Sequence, residues 1–351
     1  MLIEGVFAAV PTPFYPDERV YLRKMEANIA RYSRSLLAGM LVLGSTGEAP
    51  LVSDAESREV LRAAAAAAAP EKLLIAGVGR ESVRSTVELA EAAAEYGYDA
   101  VLVRVPTYYS RLLTPEFALH YFRCVADSSP LPVILYNIPF CAPWNIPVEV
   151  VAELALHPNI IGIKDSSGDV ERIAALVAAT KDAPKRTATV TPIFEAVTGR
   201  MLAANQKVAE SVVAVGDLAT GTAVSTAAPA PALKTRTREV GFQVLCGNEA
   251  TLLPALEAGA SGGILAFASF APQAAQEIFS SWKEHNQQLA QEKQQLIAPA
   301  GQRVVGQLGI AGIKYACDFN GFYGGYPRRP ILPLTAETRT EIEELLAPIR
   351  L

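Results

Sequence analysis

The stretch IIGIKDSSGD, Ile160 to Asp169, sets one lysine inside an apolar run and follows it with acid, serines and glycine. A free ammonium titrates near ~10.4 and is less than about 0.1 % neutral at pH 7. A lysine that attacks a carbonyl must therefore be desolvated or set near other cations. Bringing it to ~7 means disfavouring the charged form by roughly 4–5 kcal/mol, which an apolar interior can do. The competing reading of Lys164 is a strand-end lysine paired with Asp165 or snorkelling to solvent. A lysine imine also needs a proton shuttle, and the phenol of Tyr136 in YNIP, beside a hydroxyl neighbour, is the candidate; otherwise Tyr136 is a core aromatic with its hydroxyl on backbone. GSTGE, Gly44 to Glu48, is a glycine-flanked turn. Its amides, including that of Gly47, and its hydroxyls, Ser45 and Thr46, suit a carboxylate, although Ser or Thr beside Gly is also ordinary helix capping. Glu48 reads as structural.

Other chemistries find less support. His120, His157 and His285 are scattered and match no HxH or HExxH spacing, so a metal-dependent mechanism is not expected. Cys124, Cys141, Cys246 and Cys317 lie far apart without a CxxC pair, which argues for a reduced, cytoplasmic setting. Arg328 and Arg329 read as a solvated patch.

These residues converge only if the intervening chain brings strand ends together. Eight short β-branched runs alternate with Ala/Leu/Glu-rich helical stretches: GVFAAVPTP, GMLVLGS, LLIAGVG, AVLVRVP, PVILYNIP, IIGIKDS, FQVLCGN and GGILAFAS. Continuous apolar runs mark parallel strands covered on both faces. Eight such units predict an α/β fold, a closed (β/α)8 TIM barrel. An open doubly wound sheet is the alternative, but the first strand ends in PTPF rather than a glycine-rich dinucleotide loop. In a barrel, GSTGE, PTYYS, YNIP and Lys164 all stand at the C-terminal ends of strands, where such barrels hold their chemistry.

Residues 1–269 are read as the barrel and 270–351 as a C-terminal helical domain. An insertion at about 182–240, between the sixth and seventh barrel strands, interrupts the barrel where about two to six residues would suffice. As a helix-to-strand excursion it should leave from the N-terminal face, opposite the site, as a structural or flexible addition, with an interface or regulatory role as the alternative. The chain is 50 % hydrophobic and 19 % charged, enough to bury a large core. Its net charge of −5 disfavours a nucleic-acid or anionic-membrane surface, and no run approaches the ~20 apolar residues of a membrane span. Small molecules and copies of itself are the expected partners.

The order GSTGE, PTYY, YNIP, GIKDSSGD and AGASGGILAFAS resembles the dihydrodipicolinate synthase and N-acetylneuraminate lyase family of class I, Schiff-base aldolases. The resemblance implies a (β/α)8 barrel with C-terminal helices, a homo-oligomer (dimer or tetramer) and action on pyruvate or another 2-oxo acid with an aldehyde partner. No cofactor is implied beyond the covalent lysine imine. Residue by residue, Lys164 matches the Schiff-base lysine and Tyr136 the proton-shuttling tyrosine. Ser45 matches the hydroxyl linking Tyr136 to Tyr109, which in the family crosses into a neighbour's site, and Thr46 matches the pyruvate-carboxylate contact together with loop amides. In the synthase branch an arginine that receives the second substrate's carboxylate stands where this chain has Cys141, and a thiol does not replace a guanidinium. HPNIIGIKDSSGDVERI and LGIAGIKYACDFNGFYGG look most like the 4-hydroxy-2-oxoglutarate aldolase branch. The expected activity is aldol cleavage of that type, with dihydrodipicolinate synthesis, or a barrel that binds a 2-oxo acid without turning it over, as alternatives.

Overall fold

Each of the eight apolar runs forms a strand in the computed structural model, which describes residues 1–142, 144–193, 195–211 and 233–349. The first six are β1 (Gly5–Ala9), β2 (Gly39–Val42), β3 (Leu73–Gly77), β4 (Ala100–Arg104), β5 (Val133–Asn137) and β6 (Ile160–Asp165). A two-stranded ribbon follows, β7 (Arg186–Val190) with β8 (Arg236–Val240), and then β9 (Gln243–Cys246) and β10 (Gly262–Leu265). The barrel closes in the order β1-β10-β9-β6-β5-β4-β3-β2, every pairing parallel. Closure removes both sheet edges and encloses a lumen.

Side chains from all eight barrel strands fill that lumen, among them Phe7, Leu41, Ile75, Leu102, Ile134, Ile161, Leu245 and Ile264. The alternate residues meet the surrounding helices in a second, larger core. The ring consists of α1 (Leu22–Ser33), α2 (Asp54–Ala67), α3 (Val83–Glu95), α4 (Pro115–Ser128), α5 (Val148–Leu154) and α6 (Val170–Thr180). One helix of the insertion, α7 (Gly199–Ser211), lies in the chain before the last two of the ring, α8 (Leu252–Glu257) and α9 (Pro272–Lys283). The helical chain past Phe270 thus begins with α9, which packs on β1 and α8. Beyond it come α10 (Gln287–Ala300), a π-helical turn Gly301–Gln307, α11 (Gly309–Phe319) and α12 (Ala336–Leu346).

The long insertion is built, not featureless: β7 and β8 pair antiparallel and α7 lies between them in sequence. Its described residues pack at the N-terminal ends of the barrel strands, as its position after α6 requires. Arg186 donates to the carbonyls of His157, Pro158 and Ile160 at the start of β6. Arg200 and Gly199 bond to Gly97 and Asp99 ahead of β4, and Arg200 also reaches the Lys72 carbonyl ahead of β3. Ala188, Val190 and Val240 bury against Leu2. The Ala/Thr/Pro-rich centre of the insertion lies outside the described residues.

Only half of the pair Arg328–Arg329 is a solvated patch: the Arg329 side chain is 82 % exposed, whereas Arg328 is largely buried. The Arg328 side chain is only 14 % exposed and holds Glu56 and the Leu51 carbonyl, and Arg329 pairs with Glu18. Their partners are about 270 to 310 residues away in sequence, so local reading has no view of them.

Candidate active site

Lys164, Tyr136 and Arg104 stand level across three adjacent strands, because β4 pairs Arg104 with Tyr136 and β5 pairs Tyr136 with Lys164. Register partners in parallel strands point to the same face. Tyr136 follows Ile134 into the lumen, and Arg104 follows Ala100 and Leu102. Lys164 reaches the lumen differently. Ile161 already faces inward, and strict alternation would turn Ile163 and Asp165 inward after it. A bulge opposite Val133 and Ile134 inserts one residue, so that Ile134 pairs with Gly162 rather than Ile161 and the phase flips. Gly162 tolerates the crowded position because it has no side chain: a Cβ there would lie 2.4 Å from the Gln243 carbonyl oxygen.

The result is a buried amine beside a buried phenol. Lys164 is 4 % exposed and Tyr136 5 %. Lys164 Nζ lies 3.4 Å from the Tyr136 hydroxyl and 4.5 Å from its ring centroid. That hydroxyl in turn lies 3.5 Å from Ser45 Oγ. Asp165 does not pair with Lys164. Its carboxylate faces the outer side, where it accepts from Arg172 Nε at 2.7 Å, Asn137 Nδ2 at 2.8 Å and the amide of Ser167 at 2.9 Å. Gly168, in a left-handed conformation at φ 76°, turns the chain into α6, and the Asp169 side chain caps it by accepting from the Arg172 amide. The segment after Lys164 is therefore rigid and neutralises its own acid elsewhere. Glu249, just after β9, feels the charge of Lys164, but burial outweighs it and pushes the Glu249 carboxyl up to about 7.

The GSTGE turn is held from both sides. Leu43 and Glu48, which bracket it, both have positive φ, 59° and 55°, a conformation costly for residues with side chains and kept only where the surroundings impose it. Thr12 of the PTPF segment donates to the Gly47 carbonyl at 2.7 Å. Glu48 is fully buried and paired at 2.5 Å with Lys314 from α11. The Gly47 amide closes the turn on the Gly44 carbonyl, so Gly47 shapes the loop. Among the described residues, the amides of Ser45 and Thr46 make no backbone hydrogen bond, so the turn has two N–H groups that could donate to an anion. Thr46 is buried at the same place.

Tyr109 is the expected site residue that one chain does not bring to the others. It is 66 % exposed and stacks edge-on against Tyr108. Its loop is tied down by Glu81, whose carboxylate accepts from the amides of Thr107 and Tyr108.

Sequence reading passed over three features of the site. Gly247, at the end of β9, leaves room for the lysine: a Cβ there would lie 2.9 Å from Lys164 Cε. The Asn137–Asp165–Arg172 network was hidden in KDSSGDVER, where acid and arginine are seven positions apart. Arg104 carried the same signal as Lys164, a lone cation in an apolar run. Cys141 is subject to the fields of both Arg104 and Lys164, but desolvation outweighs them and raises its thiol pKa, so it supplies no charge at neutral pH. Among the described residues no three His, Cys, Asp or Glu side chains converge as metal ligands, and no helix is long and apolar enough to cross a membrane.

A parallel (β/α)8 barrel carrying a buried lysine against a tyrosine at adjoining strand ends is the architecture of the class I aldolases, which work through a lysine imine. The chain belongs to the dihydrodipicolinate synthetase family, whose model matches residues 2–186 and 200–349. Enzymes of this family are pyruvate-dependent lyases that hold their substrate on a lysine and need no added cofactor. The 4-hydroxy-tetrahydrodipicolinate synthase of Natronomonas pharaonis is 27 % identical over 345 residues, covering 98 % of this chain and 97 % of the relative. That of Xanthomonas axonopodis pv. citri is 38 % identical over 182 residues, 52 % of this chain and 60 % of the relative. Among solved structures, the dihydrodipicolinate synthase of Acinetobacter baumannii, complexed with pyruvate, superposes with a TM-score of 0.77 at 25 % identity, covering 99 % of each chain.

Proposed function

We propose that this protein cleaves a 4-hydroxy-2-oxo acid of the 4-hydroxy-2-oxoglutarate type, releasing pyruvate and an aldehyde. The observation that carries the reading is the buried Lys164 Nζ 3.4 Å from the Tyr136 hydroxyl, itself within reach of Ser45. The amine adds to the 2-oxo carbon, and loss of water leaves an iminium. The C3–C4 bond then breaks, its electron pair passing into the iminium to give an enamine, while the 4-hydroxyl gives up its proton as the aldehyde departs. Protonation of the enamine at C3 and hydrolysis return pyruvate and the free amine. Tyr136 is assigned the proton transfers. The Ser45 and Thr46 amides, with the Thr46 hydroxyl, are assigned the substrate's 1-carboxylate. Tyr109, exposed in one chain, is assigned to the site of a second copy, so that the working enzyme is a homo-oligomer.

Dihydrodipicolinate synthesis is the second reading, and the names of the relatives favour it. Cys141 weighs against it, because a neutral thiol offers an acceptor carboxylate neither charge nor a bidentate donor.

The test is borohydride reduction in the presence of pyruvate, read by intact mass and peptide mapping. A permanent adduct on Lys164, absent in Lys164→Ala, is expected; no adduct refutes the lyase reading and leaves a 2-oxo-acid-binding barrel. Turnover of 4-hydroxy-2-oxoglutarate, compared with formation of 4-hydroxy-tetrahydrodipicolinate, then decides between the two activities.

A further inference from the structure

Arg104 is a long cation at the inner wall of the barrel mouth, on the same level as Tyr136 and two strands from Lys164. Strands lie about 4.8 Å apart, so the two backbones are separated by roughly 10 Å, which two inward-reaching side chains narrow to the span of a small substrate. Each of these two basic side chains leans over a glycine just past the end of a neighbouring strand. A Cβ on Gly247 would meet Lys164 Cε at 2.9 Å, and one on Gly79 would meet Arg104 Cγ at 2.8 Å. The wall is thus cut back for two basic side chains, and the lysine accounts for one.

The guanidinium has donors to spare. One nitrogen donates to the Val105 carbonyl at 2.8 Å and another to Glu81 at 3.0 Å, which uses two of its five N–H groups. Glu81 is itself shared with Thr107 and Tyr108, so its charge is not devoted to Arg104. With its side chain 19 % exposed, Arg104 is fixed yet open to the mouth. Cys141, within the field of both cations, brings no charge to compete for an incoming anion.

We propose that Arg104 forms the subsite for a carboxylate at the far end of the substrate, selecting 4-hydroxy-2-oxo diacids, and in the reverse direction aldehydes that bear a carboxylate. This rests on the lysine-imine reading above and adds the second anchor: the 1-carboxylate on the GSTGE amides, the 2-oxo carbon on Lys164 and the distal carboxylate on Arg104. A rival role is structural, with Arg104 merely bracing Glu81 and the tyrosine loop.

A matched substrate pair separates the two. The enzyme and its Arg104→Met, Arg104→Gln and Arg104→Lys variants are assayed with 4-hydroxy-2-oxoglutarate and with the analogue carrying a methyl group in place of the distal carboxylate. Pyruvate–borohydride trapping is run on each. Loss of a charge-assisted contact should raise KM for the diacid by about 10- to 100-fold in Arg104→Met and Arg104→Gln, with the methyl analogue changed by less than about 3-fold and Arg104→Lys in between. Equal losses on both substrates, or no loss on either, in variants that still trap pyruvate overturn the carboxylate subsite and leave the lyase reading standing. Failure of the unmodified enzyme to trap pyruvate overturns both.

Discussion

Lys314→Met removes the cation from an ion pair that water does not reach. The Lys314 side chain is 1 % exposed and that of Glu48 is 0 %, with 2.5 Å between Nζ and Oε1. Lys314 also donates to the Tyr326 carbonyl at 2.8 Å and lies 4.4 Å from the Phe14 ring centroid. Without it, the Glu48 carboxylate keeps, among the described residues, the Arg328 amide at 2.7 Å. Burial depresses the lysine's pKa and Glu48 works against that, so each charge depends on the other. Breaking such a pair by removing one partner costs about 3–5 kcal/mol, chiefly from the charge left behind, whereas replacing both costs far less. Urea unfolding of Lys314→Met should therefore show a loss in that range, and Glu48→Gln/Lys314→Met should recover much of it. Because Glu48 ends the GSTGE turn in a strained left-handed conformation, the single variant should also raise KM for the 2-oxo acid. A loss below about 1 kcal/mol, or a double variant as unstable as the sum of the singles, would refute the argument that the pair is a coupled, desolvated unit.

Tyr136→Phe should slow turnover by about 10²-fold or more, the range for a general acid-base group, while Lys164 stays competent for borohydride trapping; an unchanged rate in steady-state assays removes Tyr136 from the proton path. Gly247→Ala would place a methyl 2.9 Å from Lys164 Cε and 2.0 Å from Ser166 Oγ, so something must move. Its trapping rate with pyruvate should fall at least about tenfold, consistent with the sensitivity of reaction to ~1 Å misplacements. Glu249 gives a pH signature. Its carboxyl is raised by burial from the ordinary 4.5 to about 7, so between those values the folded state holds a proton that the unfolded chain has lost. The Glu249 contribution is full below pH 4.5 and falls as pH rises toward 7, by about 3 kcal/mol in all. In Glu249→Gln, urea midpoints measured from pH 4.5 to 8 should lose this decline and exceed those of the parent at pH 8; parallel curves would show that Glu249 does not titrate there.

Composition, apolar run lengths and strand-end chemistry carried most of the architecture. Eight continuous apolar segments can be buried on both faces only in a parallel sheet wrapped by helices, and the seventh and eighth remain visible across the long insertion. Lys164, Tyr136 and Ser45 were legible because ionisable or hydroxyl groups at the ends of apolar strands stand out from their neighbours. The direction in which they point was not. Alternation within β6 alone sends Asp165 toward the lumen, and only pairing with β5 reveals the bulge that sends Lys164 there instead. The same holds for pairs closed over long distances. Glu48 and Lys314 are 266 positions apart, and Arg328 and Glu56 are 272 apart. A residue's type and its immediate neighbours set what it can do and which local element it favours, and these are written in the sequence. Which face it presents and which charge it meets depend on register and closure, and these exist only once distant strands and helices have packed together.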